Sequence, residues 1–232
     1  MNDRIQLEIQ SGVATIIMND GKVNAMSTAM LSDISNAFDE AEKAKAVTVL
    51  AGREGMFSAG FDLKVMAGGP EAALEMVRSG ADLILKFLKH PYPILSVCTG
   101  HAYPMGAFLL LSSDSRIGVD GPFKIGLNEP AIGITVPTFA VELTRHRLTP
   151  HGFAQIPTAT MFAPQDAQQR GYLDSVVAAE ELSQAIDAET QRLKALDIGS
   201  FQRTKQRINE QVIDAVQTAL EKEYSEMAST QE

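Results

Sequence analysis

Basic residues are scarce: 20 Lys and Arg stand against 29 Asp and Glu, a net charge of -9 over 232 residues. This argues against nonspecific nucleic-acid binding, because phosphate backbones are held by clustered cations. One local basic spot for a small phosphorylated ligand is still compatible with this balance. Cysteine is nearly absent. Cys98 has no second cysteine to pair with, so a reducing compartment is expected. It sits in the apolar run PILSVCTG with no charged neighbour, and reads as an inert strand residue rather than a nucleophile. No apolar run reaches the roughly 20 residues of a membrane span. The opening MNDRIQLEIQ lacks the apolar core of a secretory leader, and a cytoplasmic protein is expected. Histidines are few, and His90, His101, His146 and His151 show no metal-ligand spacing. Ser58, Ser112 and Ser113 lie in no G-x-S-x-G elbow, which argues against a serine hydrolase.

What is present is a regular alternation of elements. RIQLEIQ and VATIIMN, joined by Ser11-Gly12, predict a hairpin. Ser27 opens a helix in which Met30, Ile34, Ala37, Phe38 and Ala41 recur at helical spacing. AVTVLAG reads as a short buried strand. GGPEAALEMVRSGADLILKFLKH reads as an amphipathic helix opened by Pro70 and stopped before Pro91. PILSVCTG is a further strand. Strand and helix in alternation imply crossover connections, an α/β fold and a largely parallel sheet. After Gly133 the texture turns helical: TFAVELTRHRL, TPHGFAQI, APQDAQQRG and two longer segments from Glu180 and Ser200, with LDSVVA as the single strand among them. The closing SEMASTQE is expected to fray.

Ligands of open α/β sheets sit beyond the carboxyl ends of strands, near helix N-termini. Two stretches occupy such places: GMFSAGFDLK after AVTVLAG, and TGHAYPMGAF after PILSVCTG. Free backbone N–H groups at such turns can hold an anion. Taken singly, each also reads as an ordinary loop, Gly60 meeting a backbone need and YPMG turning into a buried helix. Glu129 alone likewise reads as a loop glutamate ahead of Pro130. Lys64 reads equally as a solvated surface lysine, Asp62 as a turn-stabilising carboxylate, and His101 as a hydrogen-bonded structural histidine. Met66, Met76 and Leu83 are read as core residues of the helix GGPEAALEMVRSGADLILKFLKH.

In combination, FSAGFDLK, GHAYPMGAFLLLSSDSRIG and FKIGLNEPAIGITVP resemble the crotonase superfamily, the enoyl-CoA hydratase/isomerase family, from the first hairpin to about Leu196. The resemblance implies a crotonase-like spiral of ββα units with a helical C-terminal region. It implies a core over 1–196 and a C-terminal helical trimerisation segment over 197–232. It implies an acyl-CoA substrate, no separate cofactor since coenzyme A belongs to the substrate, and a homotrimer or a dimer of trimers. By motif position, the thioester oxygen would accept from the backbone N–H groups of Phe61 and Met105, and Glu129 would be the base. Leu127, Pro130, Ala131 and Ile132 around Glu129 are apolar, and partial burial would raise its pKa. Ala59, Gly60, Asp62, Lys64, Gly106 and Phe108 fall at substrate-binding positions, Lys64 near the phosphates of CoA. The helix from Gly69 to His90 would wall the acyl pocket.

Departures from the family pattern are equally specific. The family usually has Gly where Pro104 and Met105 stand, so Met105 must aim its amide without glycine's freedom. Hydratases of the family use two glutamates, and the position of the first is here Phe108, which cannot activate water. One base suffices to move a proton from Cα to Cγ, and GLNE followed by GI and P resembles the isomerase branch. The expected activity is therefore Δ3-to-Δ2 enoyl-CoA isomerisation. The alternatives are hydration of 2-enoyl-CoA, or a non-catalytic acyl-CoA-binding protein.

Overall fold

A computed structural model of the chain describes residues 4–229, with side chains described through residue 222. β1 (Ile5–Gln10) and β2 (Val13–Met18) form an antiparallel hairpin. Its two linking residues, Ser11 and Gly12, both have positive φ, 52° and 78°, as the right-handed twist of a two-residue hairpin demands. α1 (Thr28–Lys43) follows, its first turn capped by the Ser27 side chain accepting from Met30 N–H. Met30, Ile34, Ala37, Phe38 and Ala41 are buried, and Leu31 with them.

Three ββα units then repeat. The first is β3 (Val47–Ala51) and β4 (Gly55–Ser58), followed by the short α2 (Leu63–Met66) and the long α3 (Pro70–Lys89). The second is β5 (Ile94–Cys98), β6 (Gly100–Ala102) and α4 (Pro104–Ser112). The third is β7 (Ser115–Val119), β8 (Ile125–Gly126), a 3-10 turn over Glu129–Ile132 and α5 (Thr138–Arg147). Each unit gives its first strand to one sheet and its second strand to another. The larger sheet runs β1-β2-β3-β5-β7-β10, where β10 is Ser175–Val177, and is parallel apart from the hairpin. The smaller runs β4-β6-β8-β9, where β9 is Met161–Phe162. This is the α/β spiral of ββα units, and every second strand delivers its chain to the same edge of the molecule.

The smaller sheet was not expected from the sequence. Its strands hold two to four residues, too few for period-2 alternation to register. β9 also adds a second strand after Gly133. α6 (Pro150–Ala154), α7 (Pro164–Arg170), α8 (Leu182–Lys194) and α9 (Ile198–Ser229) supply the helical end. α9 packs against α3 and α5. Of the tail expected to fray, the helix covers residues through Ser229, and 230–232 lie outside the described residues.

α4 is the centre of the fold. All nine of its residues are buried, which is why it is apolar all round rather than amphipathic. α3 presents Met76, Gly80, Ala81, Leu83, Ile84 and Phe87 inward. Met66, read as part of that helix, instead ends α2, because Gly68 and Gly69 (φ 121° at Gly69) break the chain before Pro70. Cys98 is buried on β5, its thiol donating to Gly100 O and its pKa pushed up to about 12 by burial.

Candidate active site

The carboxyl end of β4 is held by one buried hydroxyl. Ser58 Oγ donates to Asn24 O (2.8 Å) and accepts from Gly60 N (3.1 Å). Asn24, itself at φ 51°, donates from Nδ2 to Met18 O (2.9 Å) and Phe57 O (3.2 Å). Sequence reasoning missed Asn24 and weighed Ser58 only as a nucleophile, because the bonds that join Asn24 to Phe57 and Ser58 to Asn24 span more than thirty residues. Beyond Ser58, Gly60 O accepts from Met26 N (2.8 Å) and Asp62 N donates to Met26 O (3.3 Å). Alternation along extended backbone then turns the N–H between them, that of Phe61, away from Met26. No backbone hydrogen bond of the described residues takes that N–H up.

The second turn is fastened to the first. Tyr103 N donates to Ser58 O (2.9 Å). A Cβ on Gly106 would lie 2.8 Å from Ser58 Cβ, and one on Gly60 (φ 87°) would lie 3.4 Å from Pro104. Gly106 leaves room for the two loops to close on each other, and Gly60 is required by its left-handed backbone. Met105 is the second residue of α4, a first-turn position whose N–H has no acceptor inside the helix, and where the helix dipole is positive.

Glu129 starts the 3-10 turn that follows β8, a turn closed by Gly133 in the left-handed region (φ 76°). Its backbone carbonyl accepts from Ile134 N (2.9 Å), fixing the backbone while the carboxyl stays unbonded. Glu129 is 6 % exposed, and neither carboxyl oxygen has a hydrogen-bond partner. Desolvation raises its pKa from 4.5 to about 7. Tyr172 is a neighbour that sequence reasoning missed. Its hydroxyl pKa is raised first by burial and then by the negative charge of Glu129.

A cavity of about 300 Å³ joins these pieces. Ala59, Gly60, Phe61, Pro104 and Glu129 line it, with Leu63, Met66, Val77, Ile132, Ile134 and Pro137 making it mostly apolar. Larger hollows of about 490 and 440 Å³ flank Lys205 beside α9. Lys205 there is already bonded to Asp114 at 2.7 Å, which leaves the smaller cavity, where the unpartnered carboxyl is, as the candidate site. Asp62 caps α2, accepting from Lys64 N (2.9 Å), and Lys64 is exposed. Gly106 and Met105 are buried, and their neighbour Pro104 is the residue of α4 that lines the cavity. Phe108 is fully buried, edge-on to Phe139. His101 stacks on Tyr103 and accepts Lys124 N–H at Nδ1 (3.0 Å). Among the described residues no group of three or more His, Cys, Asp or Glu could hold a metal ion, and no helix is long and apolar enough to cross a membrane.

Residues 8–232 match the family model described as Enoyl-CoA hydratase/isomerase. A solved enoyl-CoA hydratase/isomerase family protein from Pseudomonas syringae is similar at 42% identity and a TM-score of 0.93, over 95% of this chain and 96% of that one. Mouse Enoyl-CoA delta isomerase 1, mitochondrial, is 27% identical over 92% of this chain and 76% of its own length. Mouse Enoyl-CoA hydratase domain-containing protein 3, mitochondrial, is 30% identical over 84% of this chain, which spans 65% of that relative.

Proposed function

The chain belongs to the enoyl-CoA hydratase/isomerase family, and from that premise we propose that it is a Δ3-to-Δ2 enoyl-CoA isomerase with Glu129 as its single base. The observation that carries this is the buried Glu129 carboxyl, unpartnered in the cavity wall; by motif position, the second carboxylate that water addition needs is replaced by Phe108. Burial has brought the pKa to about 7, so near neutral pH a substantial fraction is carboxylate and its conjugate acid can give the proton back.

In the proposed reaction, Glu129 removes a proton from Cα of a 3-enoyl thioester. The C–H electron pair delocalises through the carbonyl, forming a dienolate. The N–H groups of Phe61 and Met105 donate to the oxyanion; each such donor is typically worth ~10²–10³ in rate. Glu129 then delivers the proton to Cγ, leaving the double bond between Cα and Cβ. No water enters the balance. The apolar wall of Leu63, Met66, Val77, Ile132 and Ile134 suits an aliphatic acyl chain. Exposed Lys64, beside the cavity residue Leu63, suits the phosphates of CoA. Leu196, Ile198 and Ile208 leave apolar surface exposed around the start of α9, which supports self-association into a trimer or paired trimers.

The test is Glu129→Gln, which keeps the shape and removes the base. Turnover of 3-enoyl-CoA should fall ~10²-fold or more; undiminished turnover would take Glu129 out of the reaction.

A further inference from the structure

Gly80 lies in the buried face of α3, between Met76 and Ile84, well inside a 20-residue helix. Glycine weakens a helix interior relative to alanine, so its presence there calls for a packing reason. The geometry supplies one. A Cβ on Gly80 would lie 2.7 and 2.8 Å from Cζ and Cε1 of the Phe61 ring, and 3.1 Å from the Met105 sulfur. Two side chains from two separate turns therefore meet on one missing methyl group. They belong to the two residues whose main-chain amides are assigned to the thioester oxygen.

We propose that Gly80 is a positioning residue: it seats the side chains of Phe61 and Met105 against α3 and so fixes the aim of both oxyanion amides. This rests on the reading that those amides grip the thioester oxygen. Phe61 occupies an extended position whose neighbours Gly60 and Asp62 are hydrogen-bonded to Met26 (2.8 and 3.3 Å), so a ring displaced from α3 either torques the short backbone segment carrying its N–H or rotates into the cavity. Met105 has less room, since the whole of α4 is buried. Phe61 also lines the cavity, and the experiment separates those two outcomes for its ring.

The experiment uses Gly80→Ala in the full chain, compared with wild type, Phe61→Ala and the double variant. Two readouts apply: kinetics with 3-hexenoyl-CoA, and the absorption of bound 2,4-hexadienoyl-CoA. A conjugated thioester absorbs further to the red when its carbonyl oxygen is gripped by donors, so the second readout needs no turnover. The expected result is a kcat lower by ~10-fold or more for Gly80→Ala, with KM within ~2-fold and a diminished red shift, since sub-ångström misplacement of a reacting group carries such costs. With the ring removed, Gly80→Ala should add less than ~3-fold to the loss of Phe61→Ala. Equal losses in both backgrounds, an unchanged red shift, or a KM rise confined to longer acyl chains would overturn the role of Gly80, because the ring would then be yielding without its amide. If Gly80→Ala does not fold, Phe61→Ala is read instead: a weakened red shift supports the seat and a full one overturns it. A wild-type protein that binds the dienoyl thioester with no red shift sinks the oxyanion reading itself, and the proposal with it.

Discussion

Phe108 meets Phe139 edge to face, ring centroids 5.7 Å apart at 73°, and both side chains are fully buried. Phe108, which we propose stands where a hydratase would carry its second carboxylate, is thus built into the packing between α4 and α5. Phe108→Ala should lower stability by about 3–5 kcal/mol, the range for emptying a buried phenyl site. Denaturant unfolding measures it, and a loss below about 1 kcal/mol would mean that the site collapses freely or that the ring is not packed as described.

Glu129 links stability to pH. Its folded pKa of about 7 lies above the ordinary 4.5, so the native state holds the proton more tightly than the unfolded chain. That contribution is full below about 4.5 and is lost as pH rises to about 7, a change on the order of 3 kcal/mol. Glu129→Gln removes the titration. Its stability gain over wild type should be small at pH 5 and full at pH 8, read as the difference in unfolding free energy at each pH. An equal gain at both would contradict the buried, unbonded carboxyl. The base must also be charged to act, so kcat/KM should climb through pH 7 and level off above it.

The Ser58 hydroxyl ties the Phe61 loop to Asn24 through Gly60 N–H, and we assign it no covalent chemistry. Ser58→Ala should cost about 1–3 kcal/mol in stability and roughly 10-fold in kcat/KM as the Phe61 loop loosens. Intact-protein mass spectrometry of wild type during turnover should find no added acyl mass; an acyl adduct on Ser58 would overturn this assignment.

How far the sequence carried can be argued residue by residue. Met30, Ile34 and Phe38 announce α1 because a helix repeats its inward face every 3.6 residues, and Pro70 and Pro91 bracket α3 because proline cannot sit in a helix interior. The second sheet left no such trace, its strands being too short to alternate. Glu129 was singled out by its place in the family motif, and its apolar neighbours announced only its burial; the absence of any partner for its carboxyl is a fact of three dimensions. Asn24, Ser58, Tyr172 and Gly80 were not legible in their roles, since each acts through contacts distant in the chain. Asp62 was legible as a turn-stabilising carboxylate because its bond is local, to Lys64 N.

The measurement that bears most directly on the single-base account offers purified protein 3-enoyl-CoA and 2-enoyl-CoA in separate reactions of equal chain length. A lone Glu129 carboxylate, with no second one supplied from position 108, should isomerise the first at least ~10²-fold faster than it adds water to the second, the scale on which a missing acid–base group is felt. Hydration at a comparable or greater rate would require a second proton-handling group, and the assignment built on Glu129 and Phe108 would be wrong.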